Sequence, residues 1–334
     1  MYIKQLKLLF LLLVLTACTT SSFKGESRGK TVKRYLHYCT YEIWDGFREF
    51  IDYKFFISGN TGGLEVRLEE LPKTDKLNEL IDMEIAKHKA ELKMRKEDKY
   101  FGEVRRNNIK VGDNSAVVIS YEFNETCKKG EEEFNDFLER VDNCYIKLKD
   151  KTIVIRGSTY STLIKDALPL FEEFYKSYRP DQSQAFKTNY GSFKWVVGLR
   201  DDSTIEYFAY DLSMENATYF IEISYYYDES KDIVNHNLSV QETTIEGADI
   251  KINIKNTKSD TKKNSGYNIQ YDEISIVVSN GQRGKQAEIR IFDFNPGIYI
   301  KASQYKPNSF DKYRNELNAM IKSIKFYPDL KKDR

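Results

Sequence analysis

The chain has 334 residues, and its 52 lysines and arginines almost cancel its 51 aspartates and glutamates. This balance, without a basic stripe that carries interleaved aromatic residues, argues against a nucleic-acid-binding surface. Tyrosine and phenylalanine are abundant, at 24 and 20 residues, and they concentrate in segments that alternate apolar with polar positions. Such alternation is typical of half-buried strands, so we expect a fold rich in sheet.

The first 17 residues have the pattern of a bacterial lipoprotein signal peptide. A basic start at residues 1–7 precedes an apolar run at 8–15, and the small pair Thr16-Ala17 precedes Cys18. The apolar run is about half the roughly 20 residues that a spanning helix needs. Because residues 15–18 match the lipobox, we expect cleavage before Cys18 and addition of a diacylglycerol to its thiol. The alternative is an ordinary secreted protein whose cysteine stays unmodified.

The residues after the cleavage site predict a tethered protein. Residues 18–30 are rich in threonine, serine, glycine and charge, which indicates a flexible tether. Two or three acyl chains on Cys18 would hold the mature protein on a membrane without a spanning helix. We therefore expect a lipid-anchored periplasmic protein. In a Gram-negative cell, Thr19 in place of aspartate favours the outer membrane.

The first half of the mature chain predicts one domain over residues 31–180. The remaining length exceeds the usual size of a single core, so two domains are expected. Alternating segments around a glycine-rich turn at residues 59–63 predict a hairpin. Apolar residues then recur every three or four positions and predict a helix over 74–96. Four strand-like runs precede a second predicted helix over 160–178.

The second half predicts a related domain over residues 189–330, after a linker at 181–188. Its strand-like runs end in a helix over 310–324, as the first half also ends in a helix. Residues 106–119 also resemble residues 242–254. We interpret the chain as a diverged duplication of an α+β unit, in which helices pack on one face of an antiparallel sheet.

Three cysteines other than Cys18 are present: Cys39, Cys127 and Cys144. Export to an oxidising compartment favours a disulfide. A bridge between Cys127 and Cys144, across an acidic loop, is the first choice, and a bridge from Cys39 to either of them is the alternative. The histidines show no ligand spacing with these cysteines, so no metal site is expected. We interpret His88 as a packing residue of the first predicted helix.

Neither catalysis nor a cofactor is predicted. No nucleophile elbow, Walker loop, zinc-protease helix or dinucleotide fingerprint occurs in the mature sequence. The candidate partner-binding residues lie in two segments, Tyr225-Tyr226-Tyr227 and Glu131-Glu132-Glu133, because tyrosines and charges are common in protein interfaces. The alternative reading of both segments is an edge strand and a solvated loop.

Three segments carry a resemblance to a known family: residues 190–193 (Tyr-Gly-Ser-Phe), 245–249 (Ile-Glu-Gly-Ala-Asp) and the terminal helix at 315–324. With the two-domain layout, they resemble the type VI lipase immunity proteins of the fourth family, which are periplasmic proteins that neutralise an antibacterial phospholipase effector. The resemblance covers most of the mature chain. It implies that two domains clamp the effector and block its lid or active-site entrance. The sequence departs from the pattern in its glycine-poor domain starts and its polar segment 258–266, so no contact residue is assigned.

The sequence therefore predicts an immunity protein that binds and inhibits a type VI phospholipase effector in the periplasm. The alternative is an envelope lipoprotein that binds a small ligand or supports envelope assembly. A small-ligand binder is expected to have a concave apolar pocket with a few convergent polar groups.

Overall fold

The computed structural model describes part of the chain. The described residues are 29–36, 39–58, 63–95, 100–163, 165–196, 198–211, 216–226, 243–246, 251–264, 267–278, 283–291, 297–304 and 309–327. The predicted signal peptide, Cys18 and residues 18–28 of the predicted tether lie outside them.

The described chain is dominated by strands. The helices are α1 (Leu77–Arg95), α2 (Ala167–Lys176) and α3 (Ser309–Ser323). The strands are β1 (Thr31–Tyr35), β2 (Cys39–Trp44), β3 (Arg48–Ser58), β4 (Gly63–Pro72), β5 (Tyr100–Phe101), β6 (Arg105–Val111), β7 (Asn114–Asn124), β8 (Glu139–Lys147), β9 (Lys151–Tyr160), β10 (Phe186–Thr188), β11 (Gly191–Phe193), β12 (Leu199–Asp201), β13 (Thr204–Asp211), β14 (Asn216–Tyr226), β15 (Thr243–Glu246), β16 (Lys251–Asn264), β17 (Tyr267–Val278), β18 (Arg283–Ile291), β19 (Gly297–Gln304) and β20 (Lys325–Phe326). The sheets are mostly antiparallel, so the fold is of the predicted sheet-rich α+β class.

The described chain forms two compact units that are not consecutive in sequence. Unit A takes its described residues from 1–35, 39–49 and 206–334, and unit B takes them from 36–38 and 50–205. This division differs from the predicted domains 31–180 and 189–330. The predicted linker at 181–188 lies inside unit B.

Local pairing explains why the predicted linker segment is ordered structure. Strand β10 pairs with β11, and Arg179 and Ser192 exchange two backbone hydrogen bonds of 2.8 Å. Gly191 has φ +141°, and a Cβ there would lie 2.5 Å from the Arg179 carbonyl oxygen. A glycine is therefore required where the hairpin meets the end of the α2 segment.

In unit B, the order of strands in the sheet is β3-β4-β9-β8-β7, with β5 and β6 along the outer side of β7 and β12 beside β3. Helix α1 and helix α2 lie on opposite faces of this sheet, whereas the prediction placed helices on one face. The central strands explain the difference, because residues 142–146 of β8 are all buried, so both faces of that strand are covered.

The α2 face of unit B has an aromatic core. Phe174 stacks on Phe193 of the β10–β11 hairpin, with ring centroids 4.4 Å apart and planes 5° from parallel. Phe171 lies against Gly157 of β9, where a Cβ would stand only 3.0 Å from the ring. Phe171, Phe174 and Phe193 are fully buried. This face is closed by close-packed rings.

The α1 face of unit B has a second core. Buried residues of α1 pack on buried residues of the central strands: Leu77, Ile81, Leu92, Ile119, Tyr121, Phe123, Tyr145 and Val154. The Tyr145 hydroxyl donates to Glu84 of α1 over 2.7 Å, and Arg156 of β9 pairs with the same carboxylate over 3.1 Å. Apolar packing and this polar contact both hold α1 on β7, β8 and β9.

Unit A contains a three-stranded sheet, β1-β2-β20, and a larger sheet in the order β15-β16-β17-β18-β19-β14-β13. Helix α3 packs on β2, β14 and β19. The ring of Tyr313 on α3 lies 5.9 Å from Trp44, 5.8 Å from Phe47 and 5.3 Å from Tyr219. Aromatic contacts thus join the helix to the strands that it covers.

The two similar segments of sequence both lie in pairs of antiparallel strands. Residues 106–119 lie in β6 and β7, and residues 242–254 include β15 and the start of β16. The internal duplication itself stays a prediction. The helices predicted over 74–96 and 310–324 are α1 and α3, with small differences at their ends.

Candidate partner-binding surface

Metal binding and membrane crossing each require features that would be visible in the described residues. Among them, no group of three or more His, Cys, Asp or Glu side chains is arranged to hold a metal ion. None of the described helices has the length and apolar character needed to cross a membrane.

His88 is a packing residue of α1, as predicted. Its Nδ1 lies 2.9 Å from the Tyr121 hydroxyl, and its ring centroid lies 4.6 Å from that of Phe123. Burial raises the pKa of Tyr121 to about 12, so this hydroxyl stays protonated at neutral pH. The histidine therefore closes the core of the α1 face.

The structure does not contain the predicted Cys127–Cys144 disulfide, and Cys39 is not bridged either. Cys144 lies in β8 opposite Val118 of β7, whereas the Cys127 backbone N–H donates to the Asn124 side chain over 2.7 Å. Val118 and Asn124 are six positions apart on β7, which is roughly 20 Å along a strand. A disulfide needs Cα atoms within about 7 Å. Burial raises the pKa of the Cys144 thiol to about 12.

The predicted partner-binding tyrosines lie in unit A. Tyr225 pairs with Ile298 and Tyr226 with Gly297, in the β14–β19 ladder. Tyr225 is half-buried. Tyr227 lies outside the described residues. The backbone of this segment is thus part of a sheet, and its role in binding a partner stays a prediction.

The predicted acidic segment is an exposed loop of unit B that is anchored at one buried residue. Glu131, Glu132 and Glu133 are exposed, whereas Phe134 is buried and lies 5.2 Å from the Tyr100 ring. The Phe134 carbonyl accepts a hydrogen bond of 2.8 Å from Asn124. The loop therefore exposes three carboxylates to solvent and is held in place by its buried phenylalanine.

A part of the α1 face that the sequence did not indicate lies next to this loop. It is a depression of about 360 Å³, and we call it the open face. Its lining residues are Phe56, Gly63, Glu65, Glu139, Ser158, Thr159 and Tyr160. The depression lies over β3, β4, the start of β8 and the end of β9, beside the part of the sheet whose side chains form the α1 core.

Strand register places the functional groups of the open face side by side. Glu139 is directly opposite Tyr160, and Phe56 is directly opposite Glu65. Directly opposite residues of an antiparallel pair project on the same face of the sheet. The Phe56 ring lies over Gly63, where any Cβ would collide with it. Phe56 and Tyr160 are 38% and 43% exposed.

The two carboxylates of the open face differ in their surroundings. Glu65 pairs with Lys54 over 2.9 Å and with Arg67 over 2.8 Å. Burial acts to raise the pKa of Glu65, but these two cations hold it below the usual range. Burial raises the pKa of Glu139, and the nearby Glu125 carboxylate raises it further. Glu65 is thus neutralised by two cations, whereas Glu139 forms no ion pair among the described residues.

Sequence reasoning missed the open face because its residues come from separate strands. Phe56, Glu139 and Tyr160 are distant in sequence and are brought together only by the pairing of β3, β4, β9 and β8. A signal was present in the sequence of β9, where the apolar run Ile153-Val154-Ile155 gives way to the polar and small residues Arg156-Gly157-Ser158-Thr159. Such a change along one strand indicates the point at which a covering helix ends.

We compared the chain with known proteins. No family model and no curated protein matches it. Among solved structures, a crystal structure of PA94, a protein of unknown function from Pseudomonas aeruginosa, covers 46% of this chain and all of its own, at 13% identity and a TM-score of 0.32. A chain in the crystal structure of the Tle4-Tli4 complex covers 89% of this chain and 98% of its own, at 11% identity and a TM-score of 0.54. The protein therefore has a fold similar to that of a chain in the Tle4-Tli4 complex.

Proposed function

We propose that this protein is an immunity protein that binds a phospholipase effector of type VI secretion and inhibits it in the periplasm. The observation that carries the proposal is the fold similarity to a chain of the Tle4-Tli4 complex, which extends over 89% of this chain and 98% of that chain. The resemblance of residues 190–193, 245–249 and 315–324 to the fourth family of lipase immunity proteins supports the same function.

The proposed inhibition is by binding alone. The sequence has no recognised catalytic motif, and the three cysteines of the described chain are buried thiols. We propose that both units contribute contact surface, in keeping with the two-domain clamp that the resemblance implies. A stable protein–protein interface buries about 1,600 Å² in total. Access of substrate to the effector would be blocked without any covalent change.

The proposed location requires an export signal and a lipid anchor. We propose that Cys18 carries the acyl chains that hold the protein on the periplasmic side of the outer membrane. A Cys18→Ser variant is expected to move from the membrane fraction to the soluble periplasmic fraction. A Thr20→Ala variant, which keeps the lipobox, is the matched control. Membrane association of the Cys18→Ser variant would contradict the anchor.

The function is tested with the product of a neighbouring phospholipase gene. The chain from Thr19 onward is mixed with that enzyme, and complex formation and phospholipase activity are both measured. We expect a stable complex and loss of activity, with no effect on an unrelated phospholipase. Absence of binding would contradict the proposal and favour the alternative, an envelope lipoprotein with a small ligand or an assembly role.

A further inference from the structure

The open face holds a half-buried carboxylate that lacks a counter-ion in the described chain. Glu139 forms no ion pair among the described residues, and Glu125 lies near enough to act on it electrostatically. The adjacent cation Arg140 is committed to Asp142, through contacts of 2.8 Å and 3.1 Å. A partly desolvated carboxylate without a cation is unfavourable unless a partner supplies one.

The aromatic residues beside Glu139 fit a particular kind of cation. Tyr160 is directly opposite Glu139 in the sheet, and Phe56 lies across the same depression. Both rings are more than one third exposed. A guanidinium group can stack on an aromatic ring and form a forked pair with a carboxylate at the same time, whereas an ammonium group is a compact point charge.

The surrounding charge has the sign that attracts such a partner. The acidic loop ends one residue before β8 begins at Glu139, and it exposes Glu131, Glu132, Glu133 and Asp136. The same loop exposes Lys128 and Lys129, but its four carboxylates outnumber these two cations. An excess of one sign near a shallow site attracts groups of the opposite sign and speeds their association.

We propose that the open face is the docking site for an arginine side chain of the effector, whose guanidinium pairs with Glu139 and lies against the Tyr160 ring. This inference rests on the proposed function and adds the chemistry of the partner: a basic surface centred on one arginine. The negative charge of the acidic loop attracts that basic surface, and the arginine side chain binds in the open face.

The test measures the Kd between the whole protein, expressed with its own export signal, and the purified phospholipase from the neighbouring gene. Glu139→Gln and Tyr160→Ala are each expected to raise Kd about tenfold. Tyr160→Phe keeps the ring and is expected to stay within about twofold of the wild type. Raising the salt concentration should weaken binding of the wild type more than binding of Glu139→Gln, because the variant lacks one charge pair.

Two matched controls separate local from general effects. Asp113→Asn removes the same charge from the exposed turn before β7. This turn lies at the opposite end of β7 from Phe123, which pairs with Glu139. Met83→Ala shortens an apolar side chain of α1 that is 64% exposed. Both controls are expected to keep the wild-type Kd and its salt dependence.

The outcomes distinguish this inference from the proposed function. Weaker binding by Glu139→Gln and Tyr160→Ala, with unchanged controls, supports the arginine site. Wild-type binding that none of the variants changes overturns the site and leaves the immunity function in place. Failure of the wild type to bind the phospholipase overturns both, because the open face then loses its proposed partner.

Discussion

The two faces of the unit B sheet are covered to different extents. On one face, α2 and the β10–β11 hairpin enclose Phe171, Phe174 and Phe193 completely. On the other face, α1 covers the central strands but leaves Phe56 and Tyr160 partly exposed at one edge. Aromatic residues thus occur on both faces, in closed packing on one and at the surface on the other.

This difference shows that an aromatic residue in a strand does not by itself indicate core or interface. Whether such a residue is buried or available for contact depends on how far the helix extends over the sheet. It also depends on whether the neighbouring charged side chains are paired. Next to the buried rings of the α2 face, Asp142 is buried and paired with Arg140. Next to the partly exposed rings of the open face, Glu139 forms no ion pair with a cation among the described residues. Substitutions on the two faces should therefore have different consequences.

The largest expected loss of stability comes from a substitution on the fully covered α2 face. Phe174→Ala removes a ring that is fully buried and stacked on Phe193 at 4.4 Å. The lost burial and the cavity should lower the free energy of unfolding by about 3–5 kcal/mol. Urea denaturation followed by circular dichroism measures this loss.

Phe56→Ala is the matched substitution on the open face. Because the Phe56 ring is already 38% exposed, its removal should cost about 1 kcal/mol or less. Equal losses for Phe56→Ala and Phe174→Ala would show that the two faces are equally closed and would remove the basis of the comparison.

A smaller effect is expected where a polar contact holds α1 on its face. Arg156 pairs with Glu84 of α1 over 3.1 Å and with Glu69 of β4 over 2.9 Å. Arg156→Ala should cost about 1.5–3 kcal/mol, because hydrogen bonds to charged groups are lost. Arg200→Ala removes an arginine whose side chain is 56% exposed in its pair with Asp202, and it should cost about 1 kcal/mol or less.

Hydrogen exchange adds a local measurement to the Arg156 prediction. If Arg156 holds α1, amides of that helix should exchange faster in Arg156→Ala, while amides of α2 on the opposite face keep their protection. Faster exchange in both helices would indicate general destabilisation and would contradict a local role for the contact.

The cysteines give the third prediction. Cys127→Ala should lower the free energy of unfolding by about 1 kcal/mol or less, since only a small buried side chain changes. Loss of a native disulfide would instead cost about 2–5 kcal/mol. Denaturant unfolding measures the difference, and peptide mapping without a reductant should show Cys127 and Cys144 in separate, uncrosslinked peptides.

The disulfide prediction also shows what local sequence could and could not supply. Periodicity located α1 to within three residues and α3 to within one residue at each end, because the recurrence of apolar residues every three or four positions is a local pattern. The pairing of Cys127 with Cys144 was inferred from sequence spacing, yet the register of β7 and β8 decides their separation. The start of α2 was predicted too early for a similar reason, since β9 continues through Tyr160 to pair with Glu139.

The open face could not be predicted because it depends on where α1 stops covering the unit B sheet. The polar and aromatic residues of β3, β9 and β8 have ordinary strand patterns, and only the position of α1 leaves them uncovered. Two domains were predicted, but the bounds of the two units differ from the predicted ones for the same physical reason. Residues 39–49 belong with residues after 206 through contacts that are distant in sequence.

The smallest expected effect compares the two carboxylates of the open face by pH. Burial and Glu125 raise the pKa of Glu139 above its ordinary value of 4.5. Between the unfolded and the folded pKa, the folded state binds more protons, so stability falls as pH rises through this window. Glu139→Gln should therefore be slightly more stable than the wild type at pH 7, by at most about 0.5 kcal/mol, and equal to it at low pH.

Glu65→Gln should show the opposite sign. Although burial acts to raise the pKa of Glu65, Lys54 and Arg67 lower it below 4.5, so its contribution is present above the unfolded pKa and is lost as pH falls through the folded pKa. The variant should be less stable than the wild type at pH 7 by about 0.2–1 kcal/mol, with no difference at low pH. If both variants lose stability at pH 7, Glu139 already has a cation within the chain. The carboxylate would then not need an arginine from a partner, and the asymmetry of the open face would disappear.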